Sequence, residues 1–199
     1  MTAAAGEEVA AEPVAPRAAF AARNRRRWAL FGGIAASVAV IDQLSKLWID
    51  SNFQQLILGA APGTPNAPSE VFGDWVRIAK SYNHGGIFGL LGDSAPILGL
   101  ASLVVIAVII YYQWRQGIQS PLLTLTLGLL LGGALGNLVD RLNHGYVIDF
   151  VDMGIGTTRW YTFNVADASI SIAIVLLVVL SIFGDRIPGG IPAEPARTA

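Results

Sequence analysis

Four stretches of the chain are almost purely apolar, and the segments between them are not. Trp28 to Ile49, Ala95 to Trp114, Pro121 to Val139 and Val165 to Phe183 each run for roughly 18 to 22 residues with few or no charges, the length a helix needs to cross a bilayer. The link at 113–120 is short, whereas 50–94 and 141–164 are longer and carry mixed charge. In the first of these, the Pro/Gly-rich run from Gly59 to Pro68 gives way to Val71–Tyr82, where β-branched and aromatic residues mix with charges, a loop and then a strand. Tyr146 to Val151 has the same extended character and is available to pair with it. The fold class that follows is an integral membrane protein, mainly α, with four transmembrane helices and a small extracytoplasmic β-sheet lying against the membrane surface.

The remaining segments set boundaries and orientation. Residues 1–27 are expected to be a disordered tail, rich in Ala, Glu and Pro as far as Ala22 and closing on Arg23-Asn24-Arg25-Arg26-Arg27. The Pro-rich segment 186–199 is expected to be a second one, and no internal repeat is visible. Arginines flanking the first span place the N-terminus in the cytoplasm, and an even number of spans returns the C-terminus there, with Arg115, Arg186 and Arg197 on the same side. Both longer connections then face outward. A cleaved signal peptide is the competing reading of the first span, but the apolar stretch is too long and runs on into Asp42 and Lys46.

Composition agrees. With 53% hydrophobic and 14% charged residues and a mean hydropathy of +0.54, the chain is too apolar for an ordinary soluble domain. A net charge of -1 offers no basic surface for nucleic acid. There is no cysteine, which removes disulfides, a thiol nucleophile and thiolate metal ligands. His84 and His144 have no ligand-like spacing around them, so no metal is expected.

Against this background the polar residues stand out. Asp42 and Lys46 are four apart and share a helix face; they make either an interfacial ion pair, with Lys46 snorkelling outward, or the framework of a polar pocket. Asn83-His84-Gly85-Gly86-Ile87-Phe88-Gly89 reads as a glycine-rich loop entering the second span. Asn137, Asp140 and Arg141 occupy one face at the outer end of the third span, behind Gly132-Gly133-Ala134-Leu135-Gly136, a small-residue seam that lets helices approach closely. An Asp140–Arg141 ion pair is expected to top that seam. Asn164 and Asp167 suit the start of the fourth helix as N-cap and first-turn acid. Asp149 has no such structural duty, standing between Ile148 and Phe150 in an extended segment. Acids at the edge of hydrocarbon are costly and mark functional sites. Two carboxylates brought close cannot readily both ionise, so Asp149 and Asp167 would share a proton and polarise a water between them.

Taken in order, Asp42-Gln43-Leu44-Ser45-Lys46, Asn83 to Gly89, Gly136-Asn137-Leu138-Val139-Asp140-Arg141, Val147-Ile148-Asp149-Phe150 and Phe163-Asn164-Val165-Ala166-Asp167 resemble the motifs of the lipoprotein signal peptidase family, also called signal peptidase II. The resemblance implies an aspartic endopeptidase of the bacterial cell membrane, with Asp149 and Asp167 as the catalytic dyad. Asp42, Lys46, Asn83, Gly85, Asn137, Asp140, Arg141 and Asn164 would build the surrounding site. It further implies cleavage of prolipoproteins before a diacylglyceryl-modified cysteine, a small outward sheet cradling that substrate, and no metal or organic cofactor. Membrane lipids are the other expected partners, and a monomer is expected. The chain departs from the family pattern at His84, Gly86 and Ile87, where threonine and small alanines are usual. A small transporter or proton relay, which also uses acids near helix ends, and a purely structural membrane subunit are the rival readings; the first predicts flux without proteolysis, and the second leaves Asp149 unexplained.

Overall fold

The computed structural model describes residues 17–57, 60–61, 63–84, 95–115, 120–184 and 186. Among them are four helices, α1 (Arg17–Asn52), α2 (Ala95–Arg115), α3 (Pro121–His144) and α4 (Val165–Phe183), and four strands, β1 (Ser69–Phe72), β2 (Val76–Asn83), β3 (Val147–Ile155) and β4 (Thr158–Arg159). All four helices are long and apolar enough to cross a membrane. The strands form one antiparallel sheet in the order β1-β2-β3-β4.

Helix α3 is the hub. In its most apolar window 67% of the residues are buried, against 17% in α1 and α2 and 22% in α4, so the other three helices pack on α3 and turn their remaining faces to lipid. Glycine makes the packing close. A Cβ at Gly132 would lie 2.6 Å from the Val38 Cβ of α1, and one at Gly133 would lie 2.5 Å from the Ala166 carbonyl oxygen of α4. Without a hydrophobic drive between helices in lipid, such approach supplies the dispersion contact that holds them.

Two boundaries differ from the sequence expectation. Helix α1 begins at Arg17, inside the segment read as tail. Ala and Arg are strong helix formers, and a spanning helix already nucleated lets them continue it at little cost. The helix is therefore about 54 Å long, well beyond the roughly 30 Å of hydrocarbon. Helix α3 runs past Val139 to His144, where Gly145 takes a left-handed conformation (φ 77°) and donates its N–H to the Arg141 carbonyl at 3.1 Å. Asp140 and Arg141 thus lie within the helix, as the face they share with Asn137 requires.

The extended segments pair as expected, Ser81 opposite Asp149, Tyr82 opposite Ile148 and Asn83 opposite Val147. The stretch read as one strand, Val71–Tyr82, is two, folded back at Gly73 (φ 53°). The β2–β3 register shifts by one between Ile78 and Ser81. Ala79 and Lys80, adjacent in this bulge, are both buried. A one-residue bulge exchanges the two faces of a strand, and this one puts Asn83 on the face that carries Asp149.

Candidate active site

Asp149 is the third residue of β3 and is 3% exposed. Its Oδ2 accepts from Asn83 Nδ2 at 3.0 Å and its Oδ1 from Asn164 Nδ2 at 2.7 Å. Burial, followed by the charge of Asp167, pushes its carboxyl up to about 7, against the pull of these two amides.

Asp167 is half-buried, in the first turn of α4. Its Oδ1 accepts from Asn137 Nδ2 at 2.7 Å. It also closes a capping box, accepting the Asn164 N–H at 3.3 Å while its own N–H donates to Asn164 Oδ1 at 2.9 Å. Asn164 therefore does two things at once. Its carbonyl oxygen caps the helix of one acid, and its amide group holds the other.

Behind the acids lies a buried charged cluster. Lys46 Nζ contacts Asp42 Oδ2 at 2.8 Å, Asp140 Oδ2 at 2.9 Å and Asn137 Oδ1 at 3.1 Å, with Lys46 2%, Asp42 0% and Asp140 1% exposed. Asp42 Oδ1 accepts the Ala166 N–H at 2.9 Å, and Asp140 Oδ2 accepts the Ile148 N–H at 3.1 Å. One cluster thereby ties α1 and α3 to the first turn of α4 and to β3. Gly136 makes room for it, since a Cβ there would lie 2.5 Å from Asp42 Oδ2. Removing one partner of such a buried ion pair costs about 3–5 kcal/mol.

This arrangement differs from the sequence expectation in one respect. The ion pair of Asp140 is with Lys46 and not with Arg141, because consecutive helical residues project about 100° apart. Arg141 instead donates to the Asn137 carbonyl at 3.3 Å, where its charge interacts with Asp167 and Asp149.

Residues 34–183 match the sequence signature of the family described as Signal peptidase (SPase) II. The chain belongs to the signal peptidase II family. It is 40% identical to the lipoprotein signal peptidase of Moorella thermoacetica over 145 residues, 72% of this chain and 87% of that protein. With the lipoprotein signal peptidase of Caulobacter vibrioides it shares 37% identity over 168 residues, 82% of this chain and 92% of that one. Two solved bacterial membrane enzyme structures, at 2.3 and 1.9 Å resolution, superpose with TM-scores of 0.65 and 0.64 at 25% identity. They cover 76% and 75% of this chain and 86% and 90% of their own. The chain is thus a multi-pass membrane protein of a peptidase family.

In this signal peptidase II relative, the structure brings together Asp42, Lys46, Asn83, Asn137, Asp140, Asn164, Asp149 and Asp167 in one continuous network, with Arg141 at its edge. Gly85, and with it Gly86 and Ile87, lies outside the described residues. His84 and His144 each lie beside Tyr146, with ring centroids 5.3 and 5.5 Å away.

Sequence reasoning passed over Gln43, whose Nε2 donates to Asp140 Oδ1 at 2.8 Å and to the Gly136 carbonyl at 3.1 Å. The signal was there, since Gln43 stands three residues before Lys46 on a helix. A second network was also missed. Asp152 accepts from Arg77 (2.7 and 2.9 Å) and Arg159 (2.9 Å), and Asp74 pairs with both arginines. It ties the far end of the sheet together.

Proposed function

We propose that this protein is the aspartic endopeptidase that removes the signal peptide from prolipoproteins, cutting before the diacylglyceryl-modified cysteine, with Asp149 and Asp167 as its catalytic dyad. The observation that carries the reading is the unequal treatment of the two acids. Asp149 is buried and its carboxyl is raised to about 7, so at neutral pH it holds the shared proton for much of the time. Asp167, in the positive field at the start of α4, is the partner toward which the water is turned.

The reaction follows from that difference. A water between the two carboxyls gives a proton to Asp167 as its oxygen attacks the scissile carbonyl carbon, while Asp149 gives its proton to the carbonyl oxygen. The tetrahedral diol then collapses. One hydroxyl proton returns to Asp149, the C–N bond breaks, and the proton held by Asp167 passes to the leaving amine. One proton again remains on the pair. The three asparagines, with no charge of their own, hold both carboxyls at fixed angles, and Arg141 adds positive charge at the edge of the site.

Both termini are assigned to the cytoplasm and the dyad to the outer side. Supporting this, Arg23, Arg25, Arg26, Arg27, Arg115 and Arg186 belong to the helix ends away from the sheet, whereas on the sheet side Lys46, Arg77, Lys80 and Arg159 are each paired with an acid. The substrate's diacylglycerol would lie in the bilayer beside the helices, holding the peptide at fixed depth and lowering the entropic cost of alignment. On the Asp149 face of β3, Val151, Met153 and Ile155 offer apolar surface on which an extended peptide can rest.

The test is cleavage of a diacylated prolipoprotein by purified protein, with and without chelator, comparing the parent with Asp149→Asn and Asp167→Asn. Chelator-insensitive cleavage by the parent and loss of at least 10³-fold in each variant are expected. A near-parental rate in either variant rules out the dyad.

A further inference from the structure

An ammonium group donates hydrogen bonds and accepts none. Lys46 Nζ faces three acceptors, Asp42 Oδ2, Asp140 Oδ2 and Asn137 Oδ1, and so selects which end of the Asn137 amide turns toward it. The opposite end, Nδ2, then points at Asp167 Oδ1, 2.7 Å away. The second amide is fixed in the same manner. Asn164 Oδ1 takes the Asp167 N–H at 2.9 Å, which leaves Asn164 Nδ2 facing Asn137 Oδ1 at 3.2 Å and Asp149 Oδ1 at 2.7 Å. Neither amide can turn over without setting donor against donor. The direction of the whole network is thus set by two donors that cannot reverse, a backbone N–H and Lys46.

We propose that Lys46 is a positioning residue for the dyad, holding the Asn137 amide so that it donates to Asp167 and supplying the buried positive charge nearest to that amide. This inference rests on the dyad reading above. Lys46 touches neither carboxyl of the dyad and acts through Asn137. Its charge also favours the ionised form of Asp149. The other charged groups facing the acids are Asp42 from α1 and Asp140 and Arg141 from α3; β2 contributes the neutral Asn83.

The alternative is that Lys46 only neutralises two buried acids. Lys46→Met alone cannot separate these roles, because it strands Asp42 and Asp140 and threatens folding. The double variant Lys46→Met/Asp140→Asn can, when set beside both the parent and Asp140→Asn, since its lone Asp42 matches the net charge of the parent cluster of two acids and one cation, whereas Asp140→Asn leaves a neutral Asp42–Lys46 pair. Asp140→Asn alone, which keeps the Lys46–Asn137 contact, is its reference. The Asn164 bond to Asn137 survives in both, so the effect is a weakening.

Relative to Asp140→Asn, kcat of the double variant should fall about 10- to 100-fold, the size seen when a partner that orients a metal ligand is removed. KM should stay within about twofold, because no substrate contact is lost. The limb of the kcat–pH profile set by Asp149 should move to higher pH, since a positive charge that favours its ionised form is gone. A double variant with the kcat and pH profile of Asp140→Asn overturns the proposal. Asp149→Asn and Asp167→Asn, assayed in parallel, keep the two claims apart. Activity in either removes the dyad and this inference together, whereas their inactivity beside an unshifted double variant removes this inference alone.

Discussion

Gly133→Ala tests whether the close approach of α3 and α4 sets the position of Asp167. The added Cβ would meet the Ala166 carbonyl oxygen at 2.5 Å, Ser169 Oγ at 2.5 Å and Ile170 Cγ1 at 2.7 Å. The two side chains can rotate, but the carbonyl belongs to the α4 backbone and cannot. To restore ordinary contact near 3.4 Å, the first turn of α4 must withdraw by about 0.9 Å. Asp167 follows Ala166 directly, so the same movement stretches its 2.7 Å bond to Asn137 to about 3.6 Å, too long for a hydrogen bond.

The expected consequences are of two sizes. Overpacking costs about 1–3 kcal/mol of stability. Misplacing a reacting group by about 1 Å costs about 10²-fold in rate, or about 2.7 kcal/mol of activation free energy. Thermal unfolding in detergent and kcat on a diacylated prolipoprotein, measured well below each variant's midpoint, give both. Gly33→Ala is the control, because nothing lies within 4 Å of a Cβ there. It should change neither quantity. A folded Gly133→Ala protein with kcat within twofold of the parent would refute the argument that this seam positions the site.

Other outcomes follow from the same geometry. The carboxyl of Asp149, raised to about 7 by burial and then by Asp167, stands above its unfolded value near 3.9. Its contribution to stability is therefore complete below about pH 4 and is lost as pH rises through about 7. Asp149→Asn should accordingly unfold at a higher temperature than the parent at pH 8 but not at pH 4, by at most about 4 kcal/mol, less whatever is lost where the new amide faces an Asn donor. A parent whose advantage over this variant grows with pH would contradict the assignment. Asn164→Ala should lose about 1 kcal/mol of capping together with most activity. Asn164→Ser should recover the melting temperature and not the activity, because a hydroxyl caps the helix without reaching Asp149. Asp152→Asn weakens the Arg77 and Arg159 contacts that join β2 to the β3–β4 hairpin; it should lower stability by about 2 kcal/mol with little change in kcat.

The parts of this protein legible in its sequence are those with a local cause. Twenty apolar residues in a row admit one solution in a bilayer, because each backbone polar group must be satisfied within the segment, and so the cores of all four helices were found. The Asn164–Asp167 cap was legible for the same reason, its two partners lying within one turn. Lys46 was not. Two outcomes were open to it, snorkelling to water or turning inward, and the choice fell to Asp140, 94 residues away, which only the packing of α1 on α3 brings within 2.9 Å. The N-terminal limit of α1 was misread because a composition that cannot fold alone can still extend a helix begun elsewhere.

The bulge in β2 marks where local reading stops. Alternation along Val76–Asn83 taken by itself puts Val76, Ile78, Lys80 and Tyr82 on one face, and it would put Asn83 opposite the face of Asp149. The extra residue between Ile78 and Ser81 reverses this, and Asn83 reaches the carboxyl at 3.0 Å. On the other side of the site, Asp167 owes its place to the start of α4. The two acids therefore come from elements with different physics, one buried in a sheet between amide donors, the other half-exposed at a helix N-terminus. Two identical side chains are made unequal in this way, and a dyad needs that inequality if one member is to hold a proton while the other takes one.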